Sequence, residues 1–183
     1  MKEITKATHK IFDGRIMTLY VKDVVANGID TKREIVEKGG AVAIVPVKED
    51  GTVVMVRQYR IAIDEELLEI PAGLMDPGEE DPLETAKREL REETGFTADE
   101  WVHLTEFYPT AGFCNEYIHI YLAKGLTPGE TDFDPTEVIL TEEYSIDELI
   151  RMIKTGELHD GKSVIGIGLA KLEMTDQGEI EIE

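Results

Sequence analysis

The stretch DPLETAKRELREETGF, residues 81–96, carries the clearest helix signal in the sequence. Asp81 can cap a helix, Pro82 suits its first position, and Glu84 completes a capping-box-like pair. Gly95 then provides a C-terminal stop. The apolar positions recur at helical spacing and form one stripe, made of Leu83, Ala86 and Leu90. The pattern predicts one helix that packs on the core through that stripe.

Acidic residues are concentrated in the second half of this helix. Glu89, Glu92 and Glu93 stand at i, i+3 and i+4, so their carboxylates share one face. Three like charges repel one another unless a cation lies among them, and Mg²⁺ is the usual partner where phosphates are also bound. Arg88, one residue round the helix, can lock a carboxylate by a bidentate pair. The spacing alone leaves two interpretations open, a metal site and a solvated acidic face.

Runs rich in β-forming residues surround the helix and are separated by turn signals. The turn signals are Asp13-Gly14, Asn27-Gly28 and Asp50-Gly51. Strands are predicted at residues 15–25, 32–38, 41–47, 52–58, 101–108 and 117–123, and helices at 81–94, 145–156 and 163–172. Because strands come first and helices interrupt them singly, we predict an α/β (α+β) sandwich on a mixed sheet.

Gly39-Gly40 is the best candidate for a hinge between two parts of the chain. We predict a small N-terminal antiparallel β unit at residues 1–39 and a main domain at residues 40–183. The first part is too small to bury a core alone, so we expect it to pack on something else, such as a second subunit.

The formal net charge of −20 argues against several kinds of partner. Such a field repels nucleic acid and anionic membranes, and no run approaches the roughly 20 apolar residues that a membrane helix needs. Residues 1–10 are polar and mixed in charge, unlike a secretory signal. Cys114 is the only cysteine, so no internal disulfide can form and we expect a cytoplasmic setting.

Residues on both sides of the acidic face resemble the Nudix box, in which a Gly, a Glu and R-E-aliphatic-x-E-E-x-G-aliphatic stand at fixed distances. They are Gly73, Glu79-Glu80 and the run RELREETGF at residues 88–96. One extra residue lies in the loop, because counting back from Arg88 selects Glu80 and counting forward from Gly73 selects Glu79. Helix phase favours Glu80. The resemblance implies a Nudix-type α/β/α sandwich that holds Mg²⁺, or Mn²⁺ in its place, against a diphosphate.

The same resemblance implies roles for individual residues. Glu89 and Glu93 would be metal ligands and Glu92 a ligand or a base, so Glu92 and Glu93 are also catalytic candidates. The backbone carbonyl of Ala72 would be a further metal ligand. Residues with a structural role in the motif would be Gly73, Glu80, Arg88 and Gly95, with Arg88 salt-bridged inside the motif.

Outside the box, RQYR at residues 57–60, LEIPAG at residues 68–73 and the run that contains Gly112 and Glu116 resemble ADP-ribose pyrophosphatases and their close relatives. The implied substrate contacts are Arg57, Arg60, Glu69, Gly112 and Glu116. Arg60 has an equally simple interpretation as a surface arginine that closes a strand. Glu69 lies in an apolar run, where a carboxylate is costly unless it is paired or bound to metal.

Two further sets of residues are candidates for a functional role, and each also has a simpler structural interpretation. Relatives in this branch often add an acid from the loop before the last strand, where Glu137 matches best as the base and Asp134 second. An ordinary acidic loop explains both residues nearly as well. Tyr20 and Phe12 are candidates for stacking on adenine, although aromatic residues at such spacing more often belong to a core.

Together these features predict a homodimeric, Mg²⁺-dependent enzyme that hydrolyses ADP-ribose to AMP and ribose 5-phosphate. The first alternative is a hydrolase of GDP-mannose or another nucleotide sugar. A non-catalytic ADP-ribose sensor is the second, and the intact box argues against it. A cysteine nucleophile is set aside because the four histidines show no pattern around Cys114, and zinc because no Cys/His cluster has ligand spacing.

Overall fold

The structure is a computed structural model that describes residues 2–76, 78, 81–132, 138–176 and 178. The chain divides into two compact units. The first unit consists of Met1–Gly40 and Phe107–Ile118, and the second of Ala41–Glu106 and His119–Glu183. The segment Phe107–Ile118 therefore groups with the N-terminal residues, whereas the sequence pattern placed it with the main domain.

The first unit is built on an antiparallel sheet of three strands in the order β1-β2-β3. The strands are β1 (Ile4–Asp13), β2 (Thr18–Ala26) and β3 (Ile29–Glu37). Asn27 and Gly28 form the two-residue loop between β2 and β3, with φ of 52° and 79°, as a tight hairpin requires. Strand β1 was missed by the sequence prediction because most of its side chains are exposed and show no apolar alternation.

The second unit contains two further sheets, with strand orders β10-β5-β6 and β7-β4-β9-β8. Their strands are β4 (Ala41–Pro46), β5 (Thr52–Arg60), β6 (Glu65–Glu69), β7 (Ala72–Leu74), β8 (Thr97–Phe107), β9 (Ile118–Thr127) and β10 (Ile139–Ser145). Strand β4 is buried along its whole length. A central strand that is apolar on both faces needs a covering layer on each side.

In the described part of the chain, the second unit has three helices, and two of them cover β4. The three helices are α1 (Pro82–Thr94), α2 (Ile146–Thr155) and α3 (Gly161–Asp176). On one face of β4, Val42 and Ile44 share a core cluster with Leu90 of α1. On the other face, Val45 lies against Gly166 of α3. The strands therefore lie between helices, which confirms the predicted α+β sandwich.

The helix ends follow the sequence signals. The Asp81 side chain accepts a hydrogen bond from the backbone of Leu83, and Gly95 closes α1 with a left-handed φ of 75°. Ser145 caps α2 in the same way. Helix α3 begins two residues earlier than predicted, because the Asp160 side chain accepts from the Ser163 backbone and caps it.

Helix α2 buries Ile146, Leu149 and Met152. Ile150 and Ile153 on the same helix are only partly buried. Across the described residues, none of the helices combines the length and apolar character needed to cross a bilayer.

Candidate active site

The acidic face of α1 lies over strand β7. Glu93 is buried, with 7% of its surface exposed, and the Glu89 and Glu92 side chains are 12% and 27% exposed. The helix therefore points the three carboxylates toward the protein, and the solvated acidic face considered from the sequence does not describe them. Desolvated carboxylates are costly unless each has a partner.

Gly73 allows Glu89 to approach the backbone of β7. A Cβ atom added at Gly73 would overlap the Glu89 carboxylate, well inside the 3.0 Å that real Cβ contacts keep. Only a residue without a side chain fits this close approach. Gly73 therefore marks the point where the Glu89 carboxylate lies against the backbone of β7.

Glu93 is fixed by the residue before Gly73. The backbone N–H of Ala72 donates to Glu93 Oε2 at 3.0 Å, and Ala72 itself is held in register opposite Ala43 of β4. The preceding Pro71 accepts a hydrogen bond from the Ile44 backbone. Helix α1 and the segment that carries Ala72 and Gly73 are therefore joined through a charged side chain.

Arg88 lies between the other two carboxylates. Its Nη1 is 2.8 Å from Glu89 Oε1 and 2.8 Å from Glu92 Oε2, and its Nη2 donates to the Leu74 carbonyl at 3.4 Å. The pKa of Arg88 is raised, because the charges of Glu89 and Glu92 and a hydrogen bond to Glu92 outweigh the effect of burial. Arg88 therefore joins Glu89 and Glu92 to each other and to the backbone of β7.

Glu69 forms a second charged group in the same unit. Arg60 binds it with two hydrogen bonds, Nε to Oε1 at 2.6 Å and Nη2 to Oε2 at 2.8 Å. The Lys162 ammonium also donates to Oε2. Glu69 is 1% exposed, and burial opposes its ionisation. Hydrogen bonds and charges from Arg60 and Lys162 outweigh burial, so the pKa of Glu69 lies below its ordinary value.

Replacing Glu69 by glutamine is expected to lower the free energy of unfolding by about 3 kcal/mol at pH 7, because two cations lose their buried counter-charge. The lowered pKa means that this stability is present above the ordinary value of 4.5 and is lost as pH falls through the folded-state value. Urea unfolding at pH 7, 5, 4 and 3 measures the effect, and the gap between wild type and variant should narrow below pH 4.5.

The matched control for this prediction is Glu143→Gln. Glu143 pairs with Lys48 near the surface, so its loss should cost less than about 1 kcal/mol at any of these pH values. A Glu69 variant as stable as the control at pH 7, or a gap that stays constant down to pH 3, would contradict the importance of the buried pairing.

The donor set of α1 and β7 fits a hard divalent cation in its chemistry. Three carboxylates and the backbone carbonyl of Ala72 are oxygen donors of the type that Mg²⁺ and Ca²⁺ prefer. The space at Gly73 brings one of these carboxylates against the backbone. Among the described residues, no three acidic, histidine or cysteine side chains are already arranged to hold a metal. Arg88 lies where it neutralises two of the three carboxylates, so an ion would compete with it.

The remaining predicted site residues have other partners. Arg57, on β5, pairs with Glu142 of β10. Gly112 and Glu116 belong to the first unit, where Glu116 forms an ion pair with Lys38. In the same unit Cys114 is free and buried. Glu80, Glu137 and Asp134 lie outside the described residues.

Several residues that pair with the predicted ones were not expected from the sequence. Among the described residues they include Lys38 with Glu116, Glu142 with Arg57 and Lys162 with Glu69. Lys162 is the most informative, because it reaches a glutamate 93 residues away along the chain. The only signal in the sequence was the need for a partner at Glu69, and that need does not name the partner.

The acidic face of α1 and its close approach to Gly73 fall within the segment that resembles the Nudix box. The NUDIX domain model matches residues 37–164, and the chain belongs to this family. It is a Nudix pyrophosphohydrolase, and enzymes of this family generally need a divalent metal.

Several proteins are similar to it over most of their length. The ADP-ribose pyrophosphatase of Bacillus subtilis is 37% identical, with 98% of each chain covered. A methanol dehydrogenase activator of Bacillus methanolicus is 41% identical, with 94% of each covered. A GDP-mannose pyrophosphatase of Citrobacter koseri is 34% identical over 73% of this chain and 74% of its own. A crystal structure of an ADP compounds hydrolase has the same fold, with a TM-score of 0.88, 23% identity and 98% of each chain covered.

Proposed function

We propose that the protein hydrolyses the pyrophosphate of ADP-ribose, giving AMP and ribose 5-phosphate, with Mg²⁺ as its metal and Mn²⁺ as an effective substitute. The observation that carries the proposal is the intact acidic face of α1, packed against Ala72 and Gly73. The full-length similarity to an ADP-ribose pyrophosphatase supports the choice of substrate.

The residues of the site would have different roles. Glu89, Glu92, Glu93 and the Ala72 carbonyl would hold the metal. When bound, a divalent ion screens the diphosphate and acidifies the attacking water. Arg88 keeps Glu89 and Glu92 oriented, and Arg60 offers N–H donors to a phosphate. Glu92, Glu93 and Glu137 are the candidates to accept the proton of the water.

A substrate panel tests this proposal. Phosphate released by a coupled phosphatase would be measured from ADP-ribose, GDP-mannose, other nucleotide sugars and nucleoside triphosphates, each with Mg²⁺. We expect ADP-ribose to have the highest kcat/KM and to yield AMP and ribose 5-phosphate in equal amounts. Cleavage of GDP-mannose alone would support the proposed pyrophosphate hydrolysis but show that the substrate is GDP-mannose. Binding of ADP-ribose without any cleavage would identify a sensor.

A second candidate function is activation of a dehydrogenase. The observation that favours it is the 41% identity to a methanol dehydrogenase activator, with both chains nearly covered. Adding the purified protein to a methanol dehydrogenase assay tests it directly. A rise in dehydrogenase rate that is absent with the Glu93→Gln variant would link the activation to the hydrolytic site, and an unchanged rate would exclude this role for that enzyme.

We also propose that the protein is a cytoplasmic homodimer in which the N-terminal β unit, residues 1–39, contacts the partner and the substrate. Exposed apolar side chains in that unit support the dimer, and include Ile4, Ile11, Ile16 and Ile29. The absence of a second cysteine fits a reducing compartment. Sedimentation at micromolar concentration should give a dimer, and a clean monomer would exclude it. Cell fractionation should recover the protein with cytoplasmic markers.

A further inference from the structure

The start of α3 forms a polar cluster that contacts the segment leading into the active site. Lys162 donates to Glu69 and also to Asp160 Oδ2, at 3.1 Å. Asp160 in turn accepts from the Ser163 backbone at 3.0 Å and from the Ser163 hydroxyl at 2.6 Å. The Ser163 hydroxyl accepts from the backbone N–H of Ile70 at 2.8 Å. Two consecutive residues, Glu69 and Ile70, are therefore held by one helix start.

The cluster is well shielded from water. The side chains of Lys162 and Asp160 are 13% and 15% exposed, Glu69 is 2% exposed at its side chain, and Ser163 is fully buried. A buried ion pair of this kind is weak evidence for stability, because well-packed apolar residues of the same volume often serve as well or better. The two cations on the Glu69 carboxylate are therefore better explained by a need to hold that side chain in one orientation.

The side chain whose orientation depends on Glu69 is Arg60. It uses two of its five N–H donors on Glu69, and its side chain is 39% exposed, so a ligand can reach it. Glu69 stands three residues before Ala72, whose backbone N–H binds Glu93 on α1. The orientation of Arg60 is set by its two hydrogen bonds to Glu69. The second cation on Glu69 limits the freedom of that carboxylate to rotate.

We propose that Lys162 is a positioning residue: together with Asp160 it fixes Glu69, so that Arg60 presents its remaining N–H donors to the diphosphate of the substrate. Ser163 holds Ile70 in the same arrangement, two residues before Ala72. The inference rests on the proposed hydrolysis of a nucleoside diphosphate sugar. It adds a role for α3, which lies 93 residues from Glu69 along the chain and outside the motif residues.

Steady-state kinetics on ADP-ribose with saturating Mg²⁺ test the proposal. Lys162→Met removes the charge and keeps most of the stem. It is expected to raise KM about 10-fold or more, the effect of one misplaced charge-assisted hydrogen bond, with kcat changed less than about threefold. Lys162→Arg should restore most of the affinity, because it returns a cation to Glu69. Lys171→Met is the matched control, since Lys171 is on the same helix and pairs with Asp147, and its KM should equal that of wild type.

A double-variant cycle separates positioning from general stability. If Lys162 acts through Arg60, Lys162→Met should raise KM in the wild-type background and add little in an Arg60→Met background. Equal effects in both backgrounds would overturn the proposal, as would an unchanged KM in Lys162→Met. If Lys162→Met does not fold, Lys162→Gln replaces it, with the same expectations. Failure of wild type to cleave any nucleotide sugar would overturn the proposed function and this inference together, whereas normal wild-type activity with an unaffected variant would overturn the inference alone.

Discussion

Replacement of Glu93 by glutamine is expected to lower kcat on ADP-ribose by about 10³-fold, equivalent to several kcal/mol of lost metal-assisted stabilisation. Glu93 is the most buried of the three carboxylates on the acidic face of α1 and accepts a hydrogen bond from Ala72. Glutamine keeps the size and an acceptor oxygen but removes the charge that a metal ion requires. The loss should therefore appear in catalysis and in Mg²⁺ affinity, with little change in fold.

The matched control is Glu84→Gln, on the same helix. Glu84 is exposed and pairs with Lys87 one turn away, so its replacement should leave kcat within about twofold of wild type and change stability by less than about 0.5 kcal/mol. Both variants would be measured at several Mg²⁺ concentrations and checked by circular dichroism. If Glu93→Gln has a kcat close to that of wild type at saturating Mg²⁺, the acidic face of α1 is not part of the catalytic centre.

Introducing a methyl group at Gly73 is expected to have the second-largest effect. In Gly73→Ala the new Cβ would overlap the Glu89 carboxylate, so the side chain must leave its place and its contact with Arg88. We expect activity to fall about 100-fold, the scale seen when partners that orient metal ligands are lost. Because the overlapped atoms are the far end of a flexible side chain, which can move aside, the extra methyl group itself should cost little stability.

Gly168→Ala is the control for this substitution. Gly168 lies within α3, and a Cβ there meets nothing within 4 Å. Alanine is favoured over glycine inside a helix by about 1 kcal/mol, so this variant should be slightly more stable than wild type and fully active. Calorimetric melting and the Mg²⁺ concentration for half-maximal rate would be compared for the two alanine variants. Equal Mg²⁺ dependence in both would show that Glu89 does not need its place beside Gly73.

The first of the helices could be predicted in detail because its signals are local. Asp81 caps it, Gly95 ends it in a left-handed conformation, and the acids at Glu89, Glu92 and Glu93 follow from helical spacing alone. The structure then shows that this face is turned toward the protein. Periodicity leaves that point open, since an acidic stripe on a helix has the same spacing whether it is solvated or buried.

Other features depend on contacts between distant parts of the chain. The overlap between Gly73 and Glu89 joins a strand to a helix, and the partner of Glu69 comes from the start of α3. The apolar surroundings of Glu69 indicate that it needs a partner, but many lysines satisfy that requirement equally well. Pairing between distant residues is decided by the tertiary fold. It produces no regular spacing in the sequence from which it could be predicted.

The early start of α3 shows an intermediate case. Asp160 is a good capping residue, and its hydrogen bonds to Ser163 are local. The sequence prediction began the helix at residue 163, and glycine at 161 is a poor helix former. The hydrogen bonds of the Asp160 cap outweigh the low helix preference of glycine. The helix start could therefore have been predicted from local sequence.

Metal-dependent hydrolysis at the acidic face of α1 can be measured as the formation of AMP from ADP-ribose. The product is followed by chromatography as Mg²⁺ is added to protein first treated with a chelator. We expect no AMP without metal, a saturable rise with Mg²⁺ in wild type, and about 10³-fold less product in Glu93→Gln at every Mg²⁺ concentration. Equal AMP formation with and without metal, or by wild type and Glu93→Gln, would show that this face does not carry out the reaction.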